Sequence, residues 1–352
     1  MSNWREELDN SIGTAEQLGR YINLTPEERQ GIERTRSVFN WGISPYYASL
    51  MARDEPNCPV RRQVVPIVEE LQDDLGTWDP LREVDNSPVE NLIHVYPDRV
   101  AFCISSRCAT FCRFCLRKRM VNTKGTFIEE DNFVQGIDYL RSQRNIRDVL
   151  LTGGDPLLMS DERIEEIVAC IRNIPHVELI RIGTRTPCTL PSRITLKLCR
   201  RLARYHPLWI NTQFNHPKEL TTEAVSACAE IIGAGIPMGN QSVLLKGIND
   251  SSAVLKELGE RLVSARVRPY YLYQCQILKG TAHFRVQIER GIQLVRSLRG
   301  RTSGFAIPQY VLDTPYGKVP LNYQYIKGRK GKKVTLETFS GKIWHECNPI
   351  SP

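Results

Sequence analysis

From residue 99 onward the chain alternates two kinds of hydrophobic pattern. Short apolar and β-branched runs predict strands: "RVAFCIS" at 99–105, "RDVLLT" at 147–152, "VELIRIG" at 177–183, "LWINTQF" at 208–214, "MGNQSVL" at 238–244 and "RPYYLYQ" at 268–274. Between them, "EEDNFVQGIDYLRSQ", "SDERIEEIVACIRNI", "SRITLKLCRRLARY", "TTEAVSACAEIIGAG" and "SSAVLKELGERLVSA" carry apolar residues at helical spacing. Most open on a Ser, Thr or Asp cap, and one closes on glycine. After the first strand the next ones recur about every 30 residues, the period of a βα unit. Six parallel strands with outer helices follow, closed or partly closed into a barrel.

The flanks read differently. Residues 1–90 form an N-terminal helical region with "TAEQLGRYI", "TPEERQGIERTRSVFNW" and "PVRRQVVPIVEELQDDL" as helices, Thr25 being an N-cap before Pro26. No chemistry announces itself there. Residues 91–300 hold the barrel, whose last helix is "HFRVQIERGIQLVRSLRG". In 301–352, alternation, turns and aromatics predict a small C-terminal β-rich region.

Composition narrows the class. With 352 residues and 41% hydrophobic content the chain buries a large core. No run reaches the roughly 18 to 20 apolar residues of a membrane span, and "MSNWREELDN" is too charged for a secretory segment. A cytoplasmic protein is expected. The net charge of +8 favours anionic ligands but is too modest to point to nucleic acid. The run "KGRKGKK" at 327–333 is a solvated hairpin turn or, more sharply, a contact for an acidic partner.

In a barrel of this kind, chemistry gathers on the loops after the C-terminal strand ends. The unusual residues of the chain fall there: "SSRCATFCRFCLRKR" after the first strand, then "GGDP" (153–156), "TRTP" (184–187), "NHP" (215–217), "LKG" (245–247) and "CQILKG" (275–280). Cytosolic thiols stay reduced, so a tight cysteine group there binds metal or does chemistry. Cys108, Cys112 and Cys115, spaced C-x3-C-x2-C, can wrap one corner of an iron–sulfur cluster. Three thiolates are one short of an ordinary cluster or zinc site. Either Cys103 or a distant residue completes the set, or one metal position stays open. Cys103 lies within a strand and is expected to pack in the core, as are Cys170, Cys199 and Cys228 on helices.

At this point the residues resemble the radical SAM superfamily, with Phe114 as the aromatic before the last cysteine. The resemblance implies a 4Fe-4S cluster whose open iron is chelated by S-adenosyl-L-methionine, with Gly153, Gly154 and Asp155 meeting that cofactor. "RIGTRTP", "NTQFNHP", "GNQSVLLKGIND", "RPYYLYQC" and "LRGRTSG", with "YINLTPEE", "SPYYASLM" and "YPDRV", narrow it to the lysine 2,3-aminomutase family, over residues 15 to 345. That family implies pyridoxal 5'-phosphate, held by Lys318 in "DTPYGKVP", with Arg99 and Gln241 in the phosphate pocket. It implies Arg117 as the partner of the substrate α-carboxylate; Lys118 and Arg119, in the same run of cations, are read as solvated. It also implies an isomerase that moves an amino group from C2 to C3, a low-potential electron donor such as flavodoxin or ferredoxin, and a homo-oligomer.

The side-chain end of the substrate site departs from the lysine pattern. Asp313 matches one of two aspartates expected to hold an ε-ammonium, but Gln276 stands where the other would be. Lysine is ranked first, ahead of glutamate, for which Gln276 and Lys279 would serve, and of arginine or another polar amino acid. Only Cys347 stands near the end, so no structural zinc is expected. A rival of a different class is an iron–sulfur or zinc protein that binds RNA or an acidic protein.

Overall fold

The computed structural model describes residues 4–121 and 127–347. Nine strands form one sheet in the order of the chain: β1 (Leu92–Tyr96), β2 (Arg99–Ser105), β3 (Asp148–Gly153), β4 (Leu179–Gly183), β5 (Leu208–Thr212), β6 (Met238–Leu244), β7 (Arg268–Gln274), β8 (Gln309–Thr314) and β9 (Gly317–Pro320). Pairing is parallel from β2 to β8 and antiparallel at both edges. The six expected strands are present, and β8 adds a seventh to the parallel set. Its side chain Tyr310 is fully buried and bonds Gln274 on β7. The C-terminal β-rich stretch therefore has two parts. A hairpin, β8 and β9, completes the large sheet, while β10 (Ile326–Lys330), β11 (Lys333–Glu337) and β12 (Ile343–Cys347) form a separate antiparallel sheet.

Amphipathic helices cover the sheet. Glu130–Ser142, Asp161–Arg172, Leu196–Leu202, Thr222–Gly233, Ser252–Ser264 and Ile288–Leu298 each bury one stripe. Those stripes meet β-branched strand residues such as Val149, Ile180, Ile182 and Ile210, all fully buried. Cys199 and Cys228 are in this core, and Cys170 packs against it.

The N-terminal segment holds one surprise. Thr25 caps the helix Pro26–Thr35 with a complete capping box. The "PVRRQVVPIVEELQDDL" stretch, however, forms two short 3-10 turns, Arg61–Gln63 and Val68–Leu71. Pro66 interrupts the periodicity, because it lacks an N–H and disfavours helix for the residue before it. The chain instead runs against the preceding helix: a Cβ on Gly31 would stand 2.6 Å from the Pro66 carbonyl.

The sheet edges meet through one side chain. The Tyr96 hydroxyl on β1 accepts the Lys318 N–H of β9 at 2.7 Å. Gly317, at φ +117, brings its backbone onto the Tyr96 ring, where a Cβ would lie 3.0 Å from ring carbon. The barrel is thus closed by a phenol and a glycine where no backbone ladder joins the edges.

Candidate active site

One cavity of about 820 Å³ occupies the barrel lumen. Cys108, Cys112 and Cys115 line it, together with Gly153, Gly154, Asp155, Arg99, Gln241, Arg117, Gln276, Asp313 and Lys318. All twelve residues singled out from the sequence are therefore in one place. Cys103 is absent from its walls and is 3% exposed in β2.

The cysteine loop is held from behind. Arg113, between Cys112 and Cys115, is 1% exposed and forks onto Glu70 through Nε at 2.8 Å and Nη2 at 2.7 Å. Phe114 packs edge-on against Phe284. Burial pushes the Cys108 thiol well above its ordinary range, with the Cys115 sulfur adding to it, and pushes Cys115 up to about 11, with Cys112 adding. Thiols held up by burial, as at Cys108 and Cys115, suit a cationic iron cluster that would bind them as thiolates. Among the described residues no three His, Cys, Asp or Glu side chains converge on a point for a single ion. A cluster differs, since each thiolate takes its own iron.

"GGDP" is pressed onto that loop. A Cβ on Gly154 would stand 2.5 Å from the Arg107 carbonyl, and one on Gly153 would stand 2.3 Å from Ser105 O. The Asp155 N–H donates to Arg107 O at 2.7 Å. The Asp155 carboxylate, at the cavity wall, accepts from Thr184 Oγ1 at 2.6 Å, Arg185 N at 2.8 Å and Leu157 N at 3.1 Å. Burial raises its pKa in spite of these bonds. Gly153 and Gly154 leave bare backbone at the cavity wall, a cradle that side chains would fill.

At the opposite wall, Lys318 Nζ lies 3.1 Å from Asp313 Oδ2. These two residues face each other in the β8–β9 ladder. The Lys318 amine also stands 5.8 Å from the Tyr96 ring and 5.7 Å from Tyr273. Arg99 stacks on the other partner of that hinge, its guanidinium 3.7 Å from the Tyr96 ring centre. A single phenol thus ties the predicted phosphate arginine to the predicted cofactor lysine. An amine, an arginine fork and the Gln241 amide around one open space fit an aldehyde that carries a phosphate.

The substrate end brings corrections. Arg117 pairs with Glu83 at 2.8 Å and reaches Thr152 Oγ1 at 3.3 Å, and its Nε is buried without a partner. Burial opposes its charge, and the Glu83 carboxylate together with the Cys103 and Cys115 sulfurs more than offsets that. Arg119 and Lys118 are not solvated: Arg119 pairs with Glu83 at 3.1 Å and Asp79 at 3.3 Å, and Lys118 is 7% exposed, 3.5 Å from Glu70. Lys279 does not reach in either, since its Nζ donates to the Asp73 carbonyl at 2.5 Å. Gln276 Nε2 donates to the backbone carbonyl of Asp313 at 2.9 Å. That acceptor fixes the amide's orientation, so Oε1 is the end left without a partner among the described residues.

Sequence reasoning missed the N-terminal contribution. Glu70, Asp73 and Glu83 are 0%, 1% and 5% exposed and brace the cysteine loop, the 276–285 loop and Arg117 respectively. Their acidic stretches carry no motif. Tyr96, by contrast, stands in the quoted "YPDRV", and Arg185 in "TRTP".

Residues 102–258 match the Radical SAM superfamily, and residues 295–350 match the family described as Lysine-2,3-aminomutase. Over 351 residues the chain is 45% identical to the L-lysine 2,3-aminomutase of Fusobacterium nucleatum, covering 99% of this chain and 83% of that one. The chain belongs to the lysine 2,3-aminomutase family. The L-lysine 2,3-aminomutase of Clostridium subterminale is also 45% identical, over 99% of this chain and 85% of that one. A glutamate 2,3-aminomutase of Clostridioides difficile is 40% identical, over 97% of this chain and 82% of its own length. As a radical SAM aminomutase this chain is an isomerase, with a 4Fe-4S cluster, S-adenosyl-L-methionine and pyridoxal 5'-phosphate as its cofactors. Among the described residues no helix is long and apolar enough to cross a membrane.

Proposed function

We propose that this chain moves the α-amino group of L-lysine to C3, giving the β-amino acid. The reading rests on one observation: three cluster-spaced thiols and a lysine–aspartate pair share a single cavity. When bound, the cluster with S-adenosylmethionine supplies a carbon-centred radical, and pyridoxal phosphate supplies the conjugated carbonyl that carries the migrating nitrogen. What remains for the protein is to bind, aim and keep water out.

In this reading Cys108, Cys112 and Cys115 hold the cluster, and the bare backbone of Gly153 and Gly154 lies beside S-adenosylmethionine. Asp155 shapes that wall from behind. Arg99 and Gln241 would hold the phosphate, and the Lys318 amine would hold the aldehyde end. Arg117 turns from Glu83 toward the substrate α-carboxylate, gripping the amino acid next to the cysteine loop. Asp313, which pairs with Lys318 at 3.1 Å, would receive the side-chain cation, and the Gln276 oxygen would face it as a neutral second acceptor. Two acceptors favour a cation over the carboxylate of glutamate, and the guanidinium of arginine suits the same pair. The expected setting is the cytoplasm, with a flavodoxin- or ferredoxin-type donor supplying the electron.

Reduced, reconstituted enzyme supplied with both cofactors should convert L-lysine, offered beside L-arginine and L-glutamate, into its β-isomer by mass spectrometry. Lys318→Ala should lose both product and the visible band of bound pyridoxal phosphate. Wild-type enzyme that holds iron and pyridoxal phosphate but yields no β-isomer from L-lysine would overturn the proposal.

A further inference from the structure

We propose that Arg185 is a positioning residue that raises the reduction potential of the cluster through Cys112, with Glu219 as the counter-charge that fixes and tempers it. The inference rests on the reading of Cys112 as a cluster ligand and on no particular substrate. Arg185 follows β4, in the "TRTP" turn, and is 8% exposed. Its Nη1 meets Cys112 Sγ at 2.6 Å. Its Nη2 donates to Glu219 Oε1 at 2.7 Å, Gln63 Oε1 at 2.7 Å and the Tyr47 hydroxyl at 3.1 Å. The guanidinium also lies 5.3 Å from the Tyr47 ring and 5.5 Å from that of Phe114.

Glu219 cannot swing away. It is fully buried, and its Oε2 accepts the backbone N–H groups of Asn215 at 2.6 Å and His216 at 2.8 Å. With that carboxylate fixed behind it, Nη1 is turned toward the sulfur, while Nε is buried without a partner among the described residues. The result is an oriented ion pair whose positive end touches a cluster ligand. Reduction places one electron, from a low-potential donor, on the cluster and breaks no bond. In a site shielded from water, a cation at a ligand sulfur stabilises the state carrying that electron. Removing the guanidinium should therefore make the cluster harder to reduce. Removing only the counter-charge should make it easier, because the guanidinium then acts undiluted.

The test is a potentiometric titration with dithionite, read by the electron paramagnetic resonance of the reduced cluster, at matched iron content. Arg185→Gln should lower the reduced-to-oxidised ratio at fixed potential about tenfold, about 59 mV for one electron. Arg185→Lys should fall between Arg185→Gln and wild type, and Glu219→Gln should shift the opposite way. If Arg185→Gln fails to take up iron, the sign of the shifts in Arg185→Lys and Glu219→Gln decides. Unchanged potentials in iron-loaded variants, or shifts of one sign throughout, would overturn the proposal. A shifted potential in an enzyme that yields no β-isomer would fault the assigned reaction and leave this role intact.

Discussion

Gln276 gives the substrate end of the cavity its character. Its amide nitrogen is committed to the Asp313 carbonyl, so what the cavity meets is an oxygen without formal charge. In the proposed reaction Asp313 alone would then carry the negative charge opposite a substrate cation. Restoring a carboxylate with Gln276→Asp should raise kcat/KM for L-lysine roughly tenfold, about 1.4 kcal/mol, mostly through KM. Steady-state kinetics checks this, and an unchanged KM would show that Gln276 does not face the side chain. The identity of this residue was legible in the sequence; which end of its amide points inward was not, because a neighbouring strand's carbonyl decides it.

At the scale of elements, the join between β3 and the cysteine loop is a backbone-to-backbone contact. Gly154→Ala would place a methyl 2.5 Å from the Arg107 carbonyl, so the loop must move. Purified and reconstituted Gly154→Ala should hold less iron per chain than wild type, by iron analysis, while keeping its far-ultraviolet circular dichroism. The 281–285 turn after β7 carries a second strain. His283 has both ring nitrogens buried without a partner, and burial pushes its pKa down to about 4. The unfolded chain therefore binds a proton at higher pH than the folded one, and stability falls as pH drops from the ordinary 6.5 toward 4. This histidine should account for a loss on the order of 3 kcal/mol across that window. Denaturant titrations at pH 7 and pH 4.5 should show a smaller loss in His283→Phe than in wild type. Strands and helices of this region were legible from periodicity and caps. The short turns at 61–63 and 68–71 were not, since Pro66 and the packing of Gly31 override an otherwise helical pattern.

At the scale of the whole molecule, the lumen depends on bringing the two edges of a nine-stranded sheet together. Tyr96 does this for both ends of the cofactor site, accepting the Lys318 N–H and stacking under Arg99. Tyr96→Phe keeps the ring and removes the acceptor, which should cost about 1 kcal/mol and loosen β9. Fluorescence or absorbance titration should show weaker pyridoxal phosphate binding, with iron content unchanged. The N-terminal segment matters at this scale too. It has little regular structure, yet Glu70, Asp73 and Glu83 each grip a different loop of the barrel mouth.

The sequence by itself determined the alternation of strands and helices and the cysteine spacing, because these depend on local periodicity and on a motif confined to a single loop, while the resemblance to a family marked the candidate site residues. Only the tertiary structure decided which charges are spent on one another. Arg117 with Glu83, Lys279 with the Asp73 carbonyl and Arg185 between Cys112 and Glu219 are partners 34 to 206 residues apart, and Asp155 meets Thr184 and Arg185 from a separate loop. Their pairing follows from burial: once a charge leaves water it must find a partner in space, and distance along the chain says nothing of which one.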